Sequence, residues 1–279
     1  MATLAPVNKI IPLSVVDGPG NRTGIFLQGC NIACAYCHNP ETQHSCISCG
    51  ECVGGCPSGA LGIVDGKVSW DSARCIMCDR CIKTCPRNAS PKVKQMSVEE
   101  VMAEVMRNVP FIRGITVSGG ECMLHAGFVE ELFRAARAEG LGTLIDSNGT
   151  VDFSRHPGLM SVTDGVMLDV KSWDEDAFRR LTGASGAMVK RNLRYLAETG
   201  RIEELRIVCL DGEVDAEAVI RGIAETIPGH FRDIPLKLIR FRPHGVRGRL
   251  EGHAAPDDGT MERYKATAIE NGFNKVIIR

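Results

Sequence analysis

An α/β fold of six βα units, interrupted once by a cysteine-rich insertion, is what this 279-residue sequence predicts. Two observations carry that expectation. From about residue 98 to the C-terminus, short apolar segments alternate with longer amphipathic ones, the pattern of a parallel sheet whose strands are joined by helices. Upstream of that region the composition changes: eleven of the 13 cysteines lie between Cys30 and Cys85.

Residues 1–21 read as a lead-in, with Gly18-Pro19-Gly20 as a turn signal. Gly24–Gln28 is a short buried strand that delivers Cys30 at its C-terminal end, where parallel α/β folds place their chemistry. Further strands are expected at Gly114–Ser118, Thr143–Asp146, Val166–Asp169, Leu205–Val208 and Leu236–Phe241, with Lys275–Ile278 as an extra one. Helical periodicity covers Val98–Asn108, with Ser97 as N-cap and Glu100 three residues on. It returns at Gly127–Glu139, Asp174–Leu181, Ala187–Thr199, Asp215–Thr226 and Gly259–Asn271. Six units fall short of the eight in a closed barrel.

The formal net charge of −1 excludes general polyanion or nucleic-acid binding. No signal peptide or membrane span is visible, so a soluble cytoplasmic protein is expected. Clustered cysteines in such a chain point to metal rather than to disulfides. Cys122 and Cys209, outside the clusters, read as small buried residues.

The cysteines form three groups. Cys30, Cys34 and Cys37 are spaced C-x3-C-x2-C. Three thiolates hold three corners of a [4Fe–4S] cluster and leave one iron open to a substrate. Cys46-x2-Cys49-x2-Cys52-x3-Cys56-Pro57 and Cys75-x2-Cys78-x2-Cys81-x3-Cys85-Pro86 form an internal repeat, each half with the bacterial ferredoxin spacing. In two-cluster ferredoxins the fourth cysteine of each run ligates the other cluster. Cys46, Cys49, Cys52 and Cys85 are therefore assigned to one cluster, and Cys75, Cys78, Cys81 and Cys56 to the other. Between the runs, Ala60–Trp70 reads as a hairpin turning at Asp65-Gly66. With so few apolar residues, this module would need its clusters as staples. The expected organisation is a first barrel segment at 1–43, a ferredoxin-like insertion with two [4Fe–4S] clusters at 44–95, and the remainder of the barrel at 96–279.

Polar groups collect where the predicted strands end: Ser118-Gly119-Gly120-Glu121, Asp146-Ser147-Asn148-Gly149, Asp169-Val170-Lys171 and Arg242-Pro243-His244-Gly245. Singly, each has a plainer reading as a turn, a loop, a strand-end ion pair or a solvated histidine. Together, behind a three-cysteine loop, they outline a pocket of glycine backbone, two aspartates and a lysine, which suits a zwitterion carrying a ribose.

The three-cysteine loop with Tyr36 before its last cysteine resembles the radical S-adenosylmethionine (SAM) superfamily. Asp17–Arg22, Cys37–Pro40, Ser118–Glu121, Asp146–Gly149 and Met167–Lys171 look like its glycyl-radical-enzyme activating enzymes, the double ferredoxin run is similar to members with two auxiliary clusters, and across nearly its whole length the chain resembles the YjjW type. That resemblance implies a partial (β/α)6 TIM-like barrel, and a cluster on Cys30, Cys34 and Cys37 whose free iron chelates the methionine end of SAM. It implies Tyr36 and His38 along the adenine, Gly119 and Gly120 at the methionine amino group, and Asp169 and Lys171 at ribose and carboxylate; Glu121, Asp146 and Val170 count with them as cofactor-contacting residues, Glu121 and the aspartates in positioning roles. A monovalent cation, Na+ or K+, is implied at Asp146, Ser147, Met167 and Asp169. The family's SAM-contacting histidine falls on Arg242, with His244 two residues later and placed first. The implied activity is reductive cleavage of SAM, followed by abstraction of a Cα hydrogen from a glycine of a partner glycyl radical enzyme. Flavodoxin or ferredoxin would be the electron donor, and the protein a monomer. Two competing readings are a radical SAM enzyme acting on a small molecule or peptide, and a three-cluster electron-transfer protein. The Gly119-Gly120-Glu121 and Asp169–Lys171 motifs argue against the second.

Overall fold

The computed structural model of the chain describes residues 3–243, 245–246 and 248–279. In chain order its elements are β1 (Leu4–Ser14), β2 (Arg22–Leu27), β3 (Leu61–Val64), β4 (Lys67–Trp70), α1 (Arg80–Thr84), β5 (Lys94–Ser97), α2 (Val98–Met106), β6 (Gly114–Gly119), α3 (Ala126–Ala138) and β7 (Gly142–Ser147). They continue with α4 (Pro157–Ser161), β8 (Gly165–Asp169), α5 (Glu175–Thr182), α6 (Ala187–Glu198), β9 (Ile202–Cys209), α7 (Ala216–Thr226), β10 (Leu236–Arg240), α8 (Asp258–Glu270) and β11 (Val276–Ile278).

Nine strands form one sheet in the order β11-β10-β9-β8-β7-β6-β2-β1-β5. Strands β2 and β6 to β11 are parallel throughout. Each expected βα strand is present, and the parallel run is open at β11, as an incomplete barrel requires. All six residues of β2 are buried, because the strand sits between β1 and β6. The helices lay apolar stripes on the sheet; α3, for example, buries Phe128, Val129, Leu132, Phe133 and Ala136. Ser97 and Glu100 form the expected reciprocal capping box at α2. Asp174, Asp215 and Asp257 accept from backbone amides at the starts of α5, α7 and α8. No helix among the described residues is long and apolar enough to cross a membrane.

The lead-in reading of residues 1–21 is corrected. Leu4–Ser14 is a strand, antiparallel to β2 on one side and to β5 on the other. Its middle carries Asn8 and Lys9, and it contains Pro6 and Pro12, so it lacks the apolar run that marks the other strands. Proline is tolerated because β5 pairs only with Leu4–Val7, which leaves Pro12 on an open edge. The loop Asp17–Arg22 closes the base of the sheet. The buried Arg22 guanidinium donates to Thr116 Oγ1 and to the Ile115 carbonyl, both at 2.9 Å.

The insertion carries the hairpin β3–β4, registered Leu61 to Trp70. Asp65 and Gly66 both have positive φ, 49° and 73°, which matches the right-handed twist of the flanking strands. The chain rejoins the main sheet at Lys94, the first residue of β5.

Two glycines separate tight packing from intrinsic helix preference. A Cβ at Gly114 would lie 2.1 Å from the Gly142 carbonyl oxygen and 2.6 Å from Arg22 Nη2, whereas nothing lies within 4 Å of one at Gly127, an exposed position in α3. Gly127→Ala should raise stability by about 0.5–1 kcal/mol. Gly114→Ala should lower the melting temperature by many degrees or abolish soluble expression. Thermal unfolding of the two variants beside wild type checks both signs.

Candidate active site

Beyond β2 the chain forms a loop that is fixed at both flanks. Gly29 and Cys30 donate to the carbonyls of Thr42 and Gln43 at 2.8 and 3.0 Å, and Ala33 and Ala35 donate to Thr182 and Leu181 at the end of α5, both at 2.8 Å. Cys30, Cys34 and Cys37 consequently line one cavity at the C-terminal ends of the parallel strands. Burial pushes the Cys30 thiol up to about 11, the Cys34 thiol up to about 12, and the Cys37 thiol up as well. Thiols in such a place become thiolates when a bound cation supplies the compensating charge. The donor set therefore fits a cluster held by three cysteines, and the Tyr36 hydroxyl on the same cavity wall is buried without a hydrogen-bond partner among the described residues.

The facing wall comes from β6, β7 and β8. Gly119 and Gly120 border the cavity, but their lack of side chains serves the protein's own packing first. At Gly119, with φ +121°, a Cβ would lie 2.1 Å from the Leu27 carbonyl oxygen; at Gly120 it would lie 2.1 Å from that of Gly29. In this contact Gly120 N–H donates to Leu27 at 3.0 Å and Glu121 N–H to Gly29 at 2.8 Å. Glu121 itself is 1% exposed and is not among the residues bordering the cavity. Its carboxylate accepts from Met123 N–H at 3.0 Å, Ser147 Oγ at 2.9 Å and Asn148 N–H at 2.8 Å. It thereby fixes the loop whose Asn148 Nδ2 lies 3.7 Å from Cys30 Sγ. The expectation that Glu121 contacts the cofactor is corrected on this geometry, and Val170, at 2% exposure, packs in the hydrophobic core instead.

Asp146, Asp169 and Lys171 all border the cavity. Lys171 Nζ donates to Asp169 Oδ2 at 2.6 Å and lies 5.8 Å from the centre of the Tyr36 ring. Burial pushes the Asp169 carboxyl up, but the cations of Lys171 and Arg206 outweigh it and hold it below its ordinary value. Burial and the Lys171 charge lower the His38 pKa, which keeps that cavity imidazole neutral.

Arg206 was not singled out from sequence. It projects from β9, and its guanidinium donates to Asp146 Oδ2 at 3.0 Å, to Glu204 Oε1 at 2.5 Å and to Met167 Sδ at 2.9 Å. Lys237 completes the network, 2.7 Å from Glu204. The available signal was Glu204 and Arg206 two apart within an apolar strand, hence on one face of it. Ser147 Oγ is engaged with Glu121, and Met167 is fully buried. Arg242 is exposed and does not border the cavity, because the chain has already left β10 at Arg240; Ile239 is the β10 residue that does. His244 lies outside the described residues.

In the insertion, Cys46, Cys49, Cys52 and Cys85 line one cavity, and Cys56, Cys75, Cys78 and Cys81 line a second. These are the two crossed quartets read from the spacing. The repeat extends to the backbone: Ser48 and Met77, Gly50 and Asp79, and Gly59 and Asn88 occupy matching positions, and all six have positive φ. Every non-glycine residue with positive φ among those described lies in this insertion, a costly conformation that persists where the surroundings enforce it. Ser48 and Ala60 N–H groups point at Cys46 and Cys56 sulfurs, at 3.4 and 3.2 Å. Among the described residues no group of three or more His, Cys, Asp or Glu is drawn together for a single ion. A cubane spreads its thiolates over different irons and needs a wider quartet.

Residues 25–221 match the Radical SAM superfamily. The chain is 34% identical over 265 residues to the benzylsuccinate synthase activating enzyme of Thauera aromatica, covering 86% of this chain and 79% of that one. It is 32% identical over 247 residues to the (2S)-3-sulfopropanediol dehydratase activating enzyme of Klebsiella oxytoca, covering 80% and 78%. The crystal structure of QueE from Escherichia coli superposes with a TM-score of 0.59 at 16% identity, over 99% of this chain and 94% of that one, and so shares the fold.

Burial raises the Glu121 carboxyl to about 7 against the three hydrogen bonds it accepts, from an ordinary value of 4.5. The folded protein keeps that proton in a range where the unfolded chain releases it. Its stabilising contribution is full below pH 4.5 and is lost as the pH rises through 7. The unfolding free energy of wild type relative to Glu121→Gln should therefore decline by roughly 3 kcal/mol across that window. Chemical denaturation at a series of pH values measures it, and a flat or rising difference contradicts the assignment.

Proposed function

Because this chain belongs to the radical SAM superfamily and, within it, to the glycyl-radical-enzyme activating enzymes, we propose that it cleaves SAM and uses the resulting radical to take a Cα hydrogen from a glycine of a partner glycyl radical enzyme. The observation that carries this reading is one cavity bordered by the three-cysteine loop, the Gly119-Gly120 turn, Asp169 and Lys171. When bound on Cys30, Cys34 and Cys37, a [4Fe–4S] cluster supplies the electron that splits SAM into methionine and a 5′-deoxyadenosyl radical.

The chain's own residues orient the substrate. Glycine at 119 and 120 leaves backbone polar groups open to the methionine amino group. The Lys171–Asp169 pair offers one cation and one carboxylate at fixed separation, for the SAM carboxylate and ribose. Tyr36 and the neutral His38 form the aromatic wall for adenine. Asn148, held by Glu121, steadies Cys30 as a positioning residue. The buried wall excludes water from the radical.

The two further cysteine quartets each hold a [4Fe–4S] cluster, three clusters in all, in a ferredoxin-like unit spanning 44–95 between the barrel segments 1–43 and 96–279. That unit relays electrons from flavodoxin or ferredoxin, and the enzyme is a cytoplasmic monomer of the YjjW type. His244 is the residue of the last motif proposed to face SAM. For the monovalent cation there are two readings. Na+ or K+ sits at Asp146, Ser147, Met167 and Asp169, or Arg206 already supplies that charge. The contacts of Arg206 with Asp146 and Met167 favour the second.

Two outcomes follow. Cys34→Ala should reduce 5′-deoxyadenosine formation under dithionite by at least a thousandfold, while retaining the iron of the two other clusters. Product at the wild-type rate would overturn the site assignment. SAM binding should be the same in K+, Na+ and choline buffers of equal ionic strength. A tenfold loss in choline would restore the cation reading.

A further inference from the structure

Strand β4 lies against both cysteine quartets and presents different groups to them. Val68 lines the cavity of Cys46, Cys49, Cys52 and Cys85; Trp70, two residues on and so on the same strand face, lines that of Cys56, Cys75, Cys78 and Cys81. The Trp70 indole Nε1 is buried and has no hydrogen-bond partner among the described residues. An indole N–H is a donor only, and a buried donor without an acceptor is costly. The residues on that cavity wall leave the acceptor to be supplied by what the cysteines hold. Resting on the reading of these cysteines as one cluster, we propose that Trp70 donates its N–H to a sulfur of that cluster and thereby raises its reduction potential. Hydrogen bonds to the sulfurs are among the factors that set such potentials, because they stabilise the more negative, reduced state.

The placement gives the donor a use. Trp70 also borders the cleft between insertion and barrel, a cleft that His38 and Asn39 of the active cavity share. Asp79 and Lys92 border both this cleft and the Trp70-side cavity, whereas among the described residues none lining the Val68-side cavity borders the cleft. Lys92 is ion-paired with Asp79 at 2.5 Å, so that pair brings no net charge; Arg80 lines the Trp70-side cavity and Arg87 the Val68-side one, and the indole is the buried donor that lines only this side. A raised potential there holds an electron on the cluster that faces the barrel.

The test is a potentiometric titration of the reconstituted protein followed by electron paramagnetic resonance. Cys75→Ala identifies which signal belongs to this cluster. If that variant loses no cluster signal, the reading of the quartet itself fails, separately from the role of Trp70. Trp70→Phe keeps the ring and removes the donor. It should keep the wild-type iron content and shift that one signal to a more negative potential, leaving the other two in place. An unchanged potential with full iron content overturns the inference. If Trp70→Phe fails to hold iron, wild type with 15N-indole tryptophan decides. The chain has only 2 tryptophans, Trp70 and Trp173. Pulsed resonance on the reduced cluster should show a 15N coupling that is absent in Trp173→Phe only if Trp70 is not its source. Loss of the coupling in Trp173→Phe, or no coupling at all, overturns the proposal.

Discussion

The active cavity depends on the close approach of the Gly119-Gly120 turn to the start of the cysteine loop. Two backbone hydrogen bonds join them, and neither glycine has room for a single added carbon. The contact sets the cysteine loop against the strand ends. It also places Glu121 under the Asp146–Gly149 loop, where its carboxylate organises Ser147 and Asn148. A glycine pair that could be read as a ligand cradle is thus first a seam between β2 and β6, and the cradle is a consequence of the seam.

Charge burial is the second constraint. Lys171, Asp169, Arg206, Asp146, Glu204 and Lys237 are all largely removed from solvent and are paired with one another. Removing one partner of a buried pair typically costs about 3–5 kcal/mol, because its mate is left uncompensated. The network therefore fixes the charges facing the cavity before any ligand arrives. Preorganised charge suits a substrate that is itself a zwitterion with a sulfonium, since less reorganisation accompanies binding and reaction. The three raised thiols add the same lesson: their burial favours protonation until iron arrives, which couples loading of the site to proton release.

What was legible in the sequence follows from the range of the interactions concerned. Cysteine spacing is local, so the crossed quartets could be assigned from the chain alone, and the same pairings line the two cavities. Strands β2 and β6 to β10 are marked by apolar runs, because both faces of a parallel sheet are covered. Strand β1 was missed because its polar centre and its prolines hide the apolar run of a strand, and Pro12 is permitted by lying beyond the β5 pairing at an open edge. Arg206 was missed because its partner Asp146 is 60 residues away, and only the adjacency of β7, β8 and β9 brings them together. Glu121 and Arg242 were placed at strand ends correctly, but side-chain direction is not written in spacing: one turns into the core and the other into solvent.

The central claim is that the chain installs a radical on another protein's glycine. Electron paramagnetic resonance of an anaerobic mixture of the reconstituted protein, SAM, reductant and a candidate partner glycyl radical enzyme tests this most directly. The expected spectrum is a glycine-centred doublet that collapses towards a singlet when the partner's glycine is α-deuterated. SAM cleavage without any such signal in the partner would contradict it and point to a small-molecule or peptide substrate.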